Sequence, residues 1–264
     1  MTVRTETEGA VLTVTIDRPE RRNAVDPETA AALHAAFLAF EDSQASVAVL
    51  TGAGGAFCAG FDLTRAAGIG EDWIARHAVE RPEDLTDDAL GPMGPTRLAL
   101  SKPVIAAIEG PALAGGMELA LWCDLRVMAK DAFCGVFCRR WGVPLIDGGA
   151  IRLPRIVGQG RALDLILTGR RVAAQEAFSI GLASRLAPPG GALEAAQALA
   201  RDLARFPQKC LRADREVALA QWSLPRAAAF AREWRSIAAL RAEGVRGAAR
   251  FSAGKGRGGD FEDI

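Results

Sequence analysis

Ala56-Phe57-Cys58-Ala59-Gly60-Phe61-Asp62-Leu63 and Gly110-Pro111-Ala112-Leu113-Ala114-Gly115-Gly116-Met117-Glu118-Leu119 are the two glycine-containing turns that decide how this chain is read. Each follows an apolar run of strand length: Val47-Ala48-Val49-Leu50-Thr51 before the first and Val104-Ile105-Ala106-Ala107-Ile108 before the second. Each leads into a segment of helical character. Two strand-exit turns can aim backbone N–H groups at one point, and donors fixed there stabilise an oxyanion.

The same order recurs on either side. Val11-Leu12-Thr13-Val14-Thr15-Ile16 reads as a strand that ends at Asp17-Arg18-Pro19. Asp26-Pro27-Glu28 then supplies an N-cap, a first-turn proline and an acid that suits the helix dipole, opening an Ala-rich helix through Phe40. Leu125-Arg126-Val127-Met128 reads as a further strand. Strands alternating with helices predict an α/β sheet with crossover connections. Both a Rossmann-like sheet and a spiral of ββα turns satisfy that pattern. Neither G-x-G-x-x-G nor a P-loop follows any strand.

Between Thr64 and Leu100 the pattern weakens into glycines, prolines and acids, with a short helix expected around Trp73 to Val79. From Gly160 onward Ala-rich amphipathic patterns dominate, and Phe230, Trp234, Ile237 and Leu240 recur at helical spacing, which predicts a stripe buried either on the same chain or on a neighbour. The tail from Ala253 to Asp260 is too glycine-rich for a stable helix. A core over residues 1–200 and a helical region with a Gly-rich tail over 201–264 are expected.

The two turns together resemble the enoyl-CoA hydratase/isomerase (crotonase) family. Arg18-Pro19-Glu20-Arg21-Arg22-Asn23-Ala24-Val25 is similar to the family's first turn, which contacts coenzyme A. Gly142-Val143-Pro144, Gly148-Gly149 and Arg152-Leu153-Pro154-Arg155 are similar to its third active-site segment and following helix. Four matches stand in family order. The resemblance selects the ββα spiral over the Rossmann alternative, with C-terminal helices that build a homotrimer or a dimer of trimers. It implies an acyl-CoA or enoyl-CoA thioester as substrate, coenzyme A arriving with it and no separate cofactor. By motif position the oxyanion donors are the N–H groups of Phe61 and Gly115, and Arg22, Ala24, Ala59, Gly60, Asp62 and Leu63 would bind coenzyme A. Phe61 departs from the small residue common at its position, so its ring narrows the acyl pocket.

Glu118 matches one of the two glutamates of family hydratases. Its neighbours Met117, Leu119, Ala120 and Leu121 are apolar. A carboxylate buried among them has its pKa raised toward neutrality, which suits proton transfer, although a first-turn acid also stabilises a helix. Cys138, in Phe137-Cys138-Arg139-Arg140-Trp141, occupies the place of the second glutamate, which puts two-glutamate hydration in question. That thiol reads as an inert small hydrophobe or, with Arg139 and Arg140 supplying positive field, as a nucleophile. Asp147 precedes Gly148-Gly149, one residue out of register with the aspartate of isomerase-like and dehalogenase-like members; it reads as a replacement acid or as a turn residue.

Three activities follow from the resemblance: an enoyl-CoA hydratase or isomerase, an acyl-CoA-binding protein that lost turnover with the second acid, and a CoA-thioester hydrolase. Other classes have little support. Lys plus Arg (32) equals Asp plus Glu (32), so no global field draws nucleic acid or an anionic membrane. No apolar run reaches the roughly 18 residues of a membrane span. His34 and His77 stand alone, no tyrosine is present, and no cluster has metal-ligand spacing. The five cysteines are scattered without C-x-x-C, and Met1-Thr2-Val3-Arg4-Thr5-Glu6 has no apolar core, so a cytoplasmic location is expected.

Overall fold

A computed structural model describes residues 1–69, 89–256 and 258 of the 264-residue chain. The helix expected around Trp73 to Val79 lies outside them, as does His77. The chain divides into two units, Met1–Ala200 and Arg201–Ile264.

In the first unit a six-stranded sheet runs β1 (Val3–Glu8), β2 (Val11–Ile16), β3 (Val47–Gly52), β4 (Val104–Ile108), β6 (Leu125–Ala129), β9 (Arg185–Ala187) in spatial order. Only β1 pairs antiparallel, and the rest are parallel. A second sheet orders β5 (Pro111–Leu113), β7 (Phe133–Gly135) and β8 (Val172–Ala173). Strands skipped by one sheet appear in the other. The stretches β4-β5 and β6-β7 each add a strand to both sheets before the next helix, which is the ββα turn of the spiral; parallel strands need such crossovers.

The helices are α1 (Pro27–Asp42), α2 (Leu63–Ile69), α3 (Gly115–Trp122), α4 (Gly149–Val157), α5 (Gln159–Thr168), α6 (Ala174–Ser179) and α7 (Ala192–Arg205). Asp26 caps α1 as its sequence implies, its carboxylate accepting from Thr29 N at 2.8 Å, with Pro27 in the first turn. The core strands are continuous apolar runs because both faces are covered: Val47, Ala48, Val49 and Leu50 are buried, as are Val104 to Ile108. β1 escaped sequence reading because its VRTETE buries only Val3.

α3 is buried on every side from Gly115 to Leu121. Its C-terminal carbonyls would otherwise be left unpaired in the core, and Arg126 supplies donors: Nη1 to Ala120 O and Cys123 O, and Nε to Leu182 O at 2.6 Å. The cation at that end also suits the helix dipole. α3 is thereby anchored at the end opposite its functional residues.

The second unit contains α8 (Gln208–Ala220), α9 (Arg226–Trp234) and α10 (Val245–Ser252), with a π-turn at Leu240–Gly244. Phe230, Trp234, Ile237 and Leu240 do share one face, but the buried stripe expected of them is absent within this unit. Phe230, Trp234 and Leu240 are 57%, 73% and 57% exposed and line an open apolar groove of about 890 Å³. Their spacing reports a common face, which burial within one chain does not require.

Candidate active site

The two motif turns stack on adjacent circuits of the spiral. Cys58 bridges Ala112 in parallel, with Cys58 N donating to Pro111 O and Leu113 N to Cys58 O. One level away, Val25 bridges Phe61: Val25 N donates to Gly60 O, and Asp62 N to Val25 O. A bridge that uses the groups flanking Phe61 leaves the Phe61 N–H on the side away from Val25. A Cβ on Gly60 would lie 3.2 Å from Gly115 N, so the two turns touch.

At the second turn Ala114 holds φ +52°, ψ −121°, a conformation that L residues rarely adopt. Such strain persists only where the surroundings fix it, and here Ala114 N donates to Gly135 O. The following residue opens α3. Glu118 N makes the first intrahelical bond, to Ala114 O, which leaves Gly115 N as one of the helix's orphan donors. The Gly115-Gly116 pair has a packing reason in addition to ligand approach: a Cβ on Gly115 would meet Met93 Sδ at 2.5 Å, and one on Gly116 would meet Cys58 O at 2.2 Å.

These turns open onto a cavity of about 240 Å³, lined by Ala59, Phe61, Leu63, Met93, Leu113 and Gly115 with aromatic and aliphatic side chains opposite. The Phe61 ring forms part of its wall. Glu118 and Asp147 both face this cavity and are both buried, at 3% exposure each. Each holds one carboxylate oxygen inside the protein. Glu118 Oε1 accepts from Asp147 N at 2.9 Å and Gly149 N at 2.8 Å. Asp147 Oδ1 accepts from Met93 N at 3.2 Å and from the Thr96 hydroxyl at 2.5 Å. Their other oxygens have no partner among the described residues. Gly149 must lack a side chain for this approach, because a Cβ there would meet the Glu118 carboxylate at 2.9 Å.

Burial pushes the Glu118 carboxyl up to about 7, with the negative charge of Asp147 the next cause, against the opposing pull of the two peptide donors and Arg152. Burial also raises Asp147 above its usual range, opposed by Thr96, Met93 N–H, Arg97 and Arg152. Two coupled carboxyls can hold one proton between them and pass it on.

Cys138 lies in a 3₁₀ turn, Phe137–Trp141, on the wall of the same cavity. Burial and then the charge of Glu118 push its thiol up. A thiol so placed is a poor nucleophile at neutral pH, which favours the inert reading. Among the described residues no cluster of three His, Cys, Asp or Glu could hold a metal ion.

In the Arg18–Val25 turn Arg22 is exposed, with φ +50°, and its carbonyl accepts from Ala59 N at 3.0 Å, tying that turn to the Ala56–Leu63 turn. Ala24 is buried and its carbonyl accepts from Arg18 Nη1. Leu63 and Ala59 reach the cavity wall. The Asp62 carboxylate is engaged within the protein, with Arg18 Nη2 at 3.2 Å and Arg65 N at 3.1 Å. Asp62 can therefore shape a coenzyme A site through its backbone, while its carboxylate is committed elsewhere.

Thr96, Met93 and Arg152 complete the site, and none stood out as functional in the sequence. Arg152 Nη1 donates to Asp147 O at 2.9 Å and Nη2 to Thr96 O at 2.6 Å. Gly-Pro-Met-Gly-Pro announces a turn over 91–95, but nothing local signals that it reaches a residue more than fifty positions away.

Comparison with known proteins places these features. A family model described as enoyl-CoA hydratase/isomerase matches residues 6–251. Enoyl-CoA hydratase EchA19 of Mycobacterium tuberculosis is 38% identical over 203 residues, covering 74% of this chain and 71% of that protein. A carnitinyl-CoA dehydratase of Salmonella arizonae is 37% identical over 215 residues, covering 79% and 77%. The crystal structure of enoyl-CoA hydratase EchA1 from Mycobacterium marinum superimposes with a TM-score of 0.83 at 33% identity, covering 96% of each chain.

Proposed function

This chain belongs to the enoyl-CoA hydratase/isomerase family, and from that premise we propose that its cavity adds water to, or shifts the double bond of, a 2-enoyl-CoA thioester. The observation that carries the reading is Glu118. It is a buried carboxyl raised to about 7, one oxygen fixed by two peptide donors and the other without a partner among the described residues, in a cavity that also holds the N-terminus of α3.

The steps follow from this arrangement. The thioester oxygen sits against the N–H groups of Phe61 and Gly115, which stabilise the negative charge that develops there. For hydration, ionised Asp147 accepts a proton from water as the water oxygen bonds to C3. The electrons of the double bond move onto the thioester oxygen, and protonated Glu118 returns a proton to C2. For isomerisation the same pair removes a proton at one carbon and returns it at another. Arg22, Ala24, Ala59, Gly60, Asp62 and Leu63 form the coenzyme A side of the site, and no cofactor is required beyond the coenzyme A of the substrate. Free thiols at all five cysteines suit a cytoplasmic setting.

Because Glu118 acts as an acid, its protonated form is the competent one and is lost as pH rises through about 7. kcat/KM, which reports the free enzyme, is expected to fall above that pH. A profile that keeps rising to pH 9 would contradict the assignment.

Cys138 in place of a second glutamate supports one rival, a binding module that holds acyl-CoA without turnover. Short, medium and aromatic 2-enoyl-CoAs assayed beside a binding titration separate the two. Tight binding with no product favours the rival, while release of free coenzyme A thiol marks a thioesterase.

Assembly belongs to the same proposal: the exposed groove of Phe230, Trp234 and Leu240 is the kind of apolar surface that a homotrimer or dimer of trimers covers. Light scattering at micromolar concentration is expected to return a multiple of the 27.8 kDa chain mass. A monomer mass would contradict it.

A further inference from the structure

Asp147, Thr96 and Arg152 form a closed ring of hydrogen bonds. The Thr96 hydroxyl donates to Asp147 Oδ1, Arg152 Nη1 donates to the Asp147 carbonyl, and Arg152 Nη2 donates to the Thr96 carbonyl. Thr96 is 1% exposed and is the middle residue of the 3₁₀ turn Pro95–Arg97, so its hydroxyl has little freedom to point elsewhere. Reciprocal bonds between Gly91 and Gly94, at 3.1 and 2.9 Å, close the loop that carries Met93 N to the same carboxylate oxygen. The Met93 side chain meanwhile fills the space beside Gly115. One loop thus touches both an acid and the oxyanion turn.

We propose that Thr96 is a positioning residue for the acid pair: held by the Arg152 clamp, its hydroxyl makes Asp147, rather than Glu118, the carboxyl that carries the charge. The inference rests on the reading above, in which both acids serve one acyl-CoA site.

The two carboxyls are similar in burial, and each has one oxygen that accepts two donors. They differ in the kind of donor. Glu118 is served by peptide N–H groups alone, whereas Asp147 takes one peptide N–H and a short bond from a hydroxyl, a bond that strengthens when the carboxyl is ionised. The charged groups facing the pair are Arg97 and Arg152 on the Asp147 side and Arg152 on the Glu118 side, with the Cys138 thiol beside Glu118. Arg152 acts on both carboxyls. Thr96 and Arg97 act on Asp147 only, and of the two Thr96 is the one in direct contact, at 2.5 Å.

Thr96→Val keeps the side-chain volume and removes the donor. Without it the ionised form of Asp147 loses a bond, and its titration midpoint is expected to rise by about one pH unit. The acid limb of kcat/KM should rise by the same amount. The alkaline limb should stay in place, because ionised Asp147 is present on both sides of the Glu118 titration. Thr96→Ser restores the donor and should return the acid limb to its wild-type position. A residue that merely supports the fold would lower the whole profile without moving one limb.

The test is carboxyl ¹³C NMR titration of wild-type, Thr96→Val and Thr96→Ser protein labelled at Asp and Glu, with Asp147→Asn and Glu118→Gln to assign the signals. It needs no turnover. An upward shift of Asp147 in Thr96→Val, reversed in Thr96→Ser, is the expected result, and an unmoved Asp147 would overturn the proposal. Should Thr96→Val fail to fold, the wild-type titration still decides: Asp147 must ionise below Glu118, and the reverse order overturns it. A wild-type protein inactive on every enoyl-CoA would remove the functional reading and leave this titration standing by itself.

Discussion

Glu118→Gln is expected to lower turnover on a 2-enoyl-CoA by roughly 10²–10⁴-fold, the usual contribution of a positioned general acid or base. Glutamine keeps the size of the side chain, and its carbonyl oxygen can still accept from Asp147 N and Gly149 N, which are 2.9 and 2.8 Å from Oε1 in the parent. The loss therefore reports the missing proton and not a collapsed loop. Asp147→Asn should do less damage and should also move the profile. Without the negative charge that helps raise Glu118, the Glu118 carboxyl titrates lower, and the alkaline limb moves to lower pH. Cys138→Glu should raise hydratase activity if, as the resemblance implies, the thiol that lines this cavity stands where the family has its second glutamate. Steady-state kinetics on the three variants decides among these roles. If Asp147→Asn were the most harmful and Cys138→Glu inert, Asp147 and not Glu118 would be the principal proton carrier. Wild-type rates in both Glu118→Gln and Asp147→Asn would remove acid–base chemistry from this pair.

Gly115→Pro is expected to reduce turnover by at least about a hundredfold by deleting one oxyanion donor while leaving both acids. Proline is tolerated in the first turn of a helix, where its missing N–H has no intrahelical partner. The structure adds a complication with a remedy. Any Cβ at position 115 meets Met93 Sδ at 2.5 Å, so part of the loss would be steric. Gly115→Ala makes the same contact and keeps the N–H, so the ratio of the two variants isolates the donor. Circular dichroism must show both folded. Equal turnover in folded Gly115→Ala and Gly115→Pro would sink the assignment of Gly115.

Much of this was legible in the sequence because the relevant signals are local. Asp26-Pro27 starts a helix by its own chemistry, and Val47 to Leu50 reads as a strand because a fully buried strand is continuously apolar. The position of Glu118 in the first turn of α3 follows from the glycine pair before it. What escaped was set by pairing at a distance. β5, β7 and β8 are three, three and two residues long, too short for any period to show, and exist because neighbouring circuits of the spiral supply their partners. Thr96 meets Asp147 across fifty-one positions, through a tertiary turn that no spacing announces. Asp62 looked like a ligand-facing polar residue, yet its carboxylate caps α2 and pairs with Arg18, forty-four positions away. The 230–240 stripe was legible as a face, but periodicity carries no information about what covers it.

The central claim is that this cavity holds an acyl-CoA enolate against Phe61 and Gly115 while Glu118 exchanges a proton at its C2 carbon. Incubating wild-type protein with crotonyl-CoA and longer 2-enoyl-CoAs in D₂O, followed by ¹H NMR, tests it directly. The account predicts loss or migration of the 2,3 double bond with one deuterium delivered to C2 or to the carbon that receives the shifted proton, and no such product with Glu118→Gln. Enoyl-CoAs recovered unchanged and unlabelled, or converted to free acid and coenzyme A thiol, would contradict it.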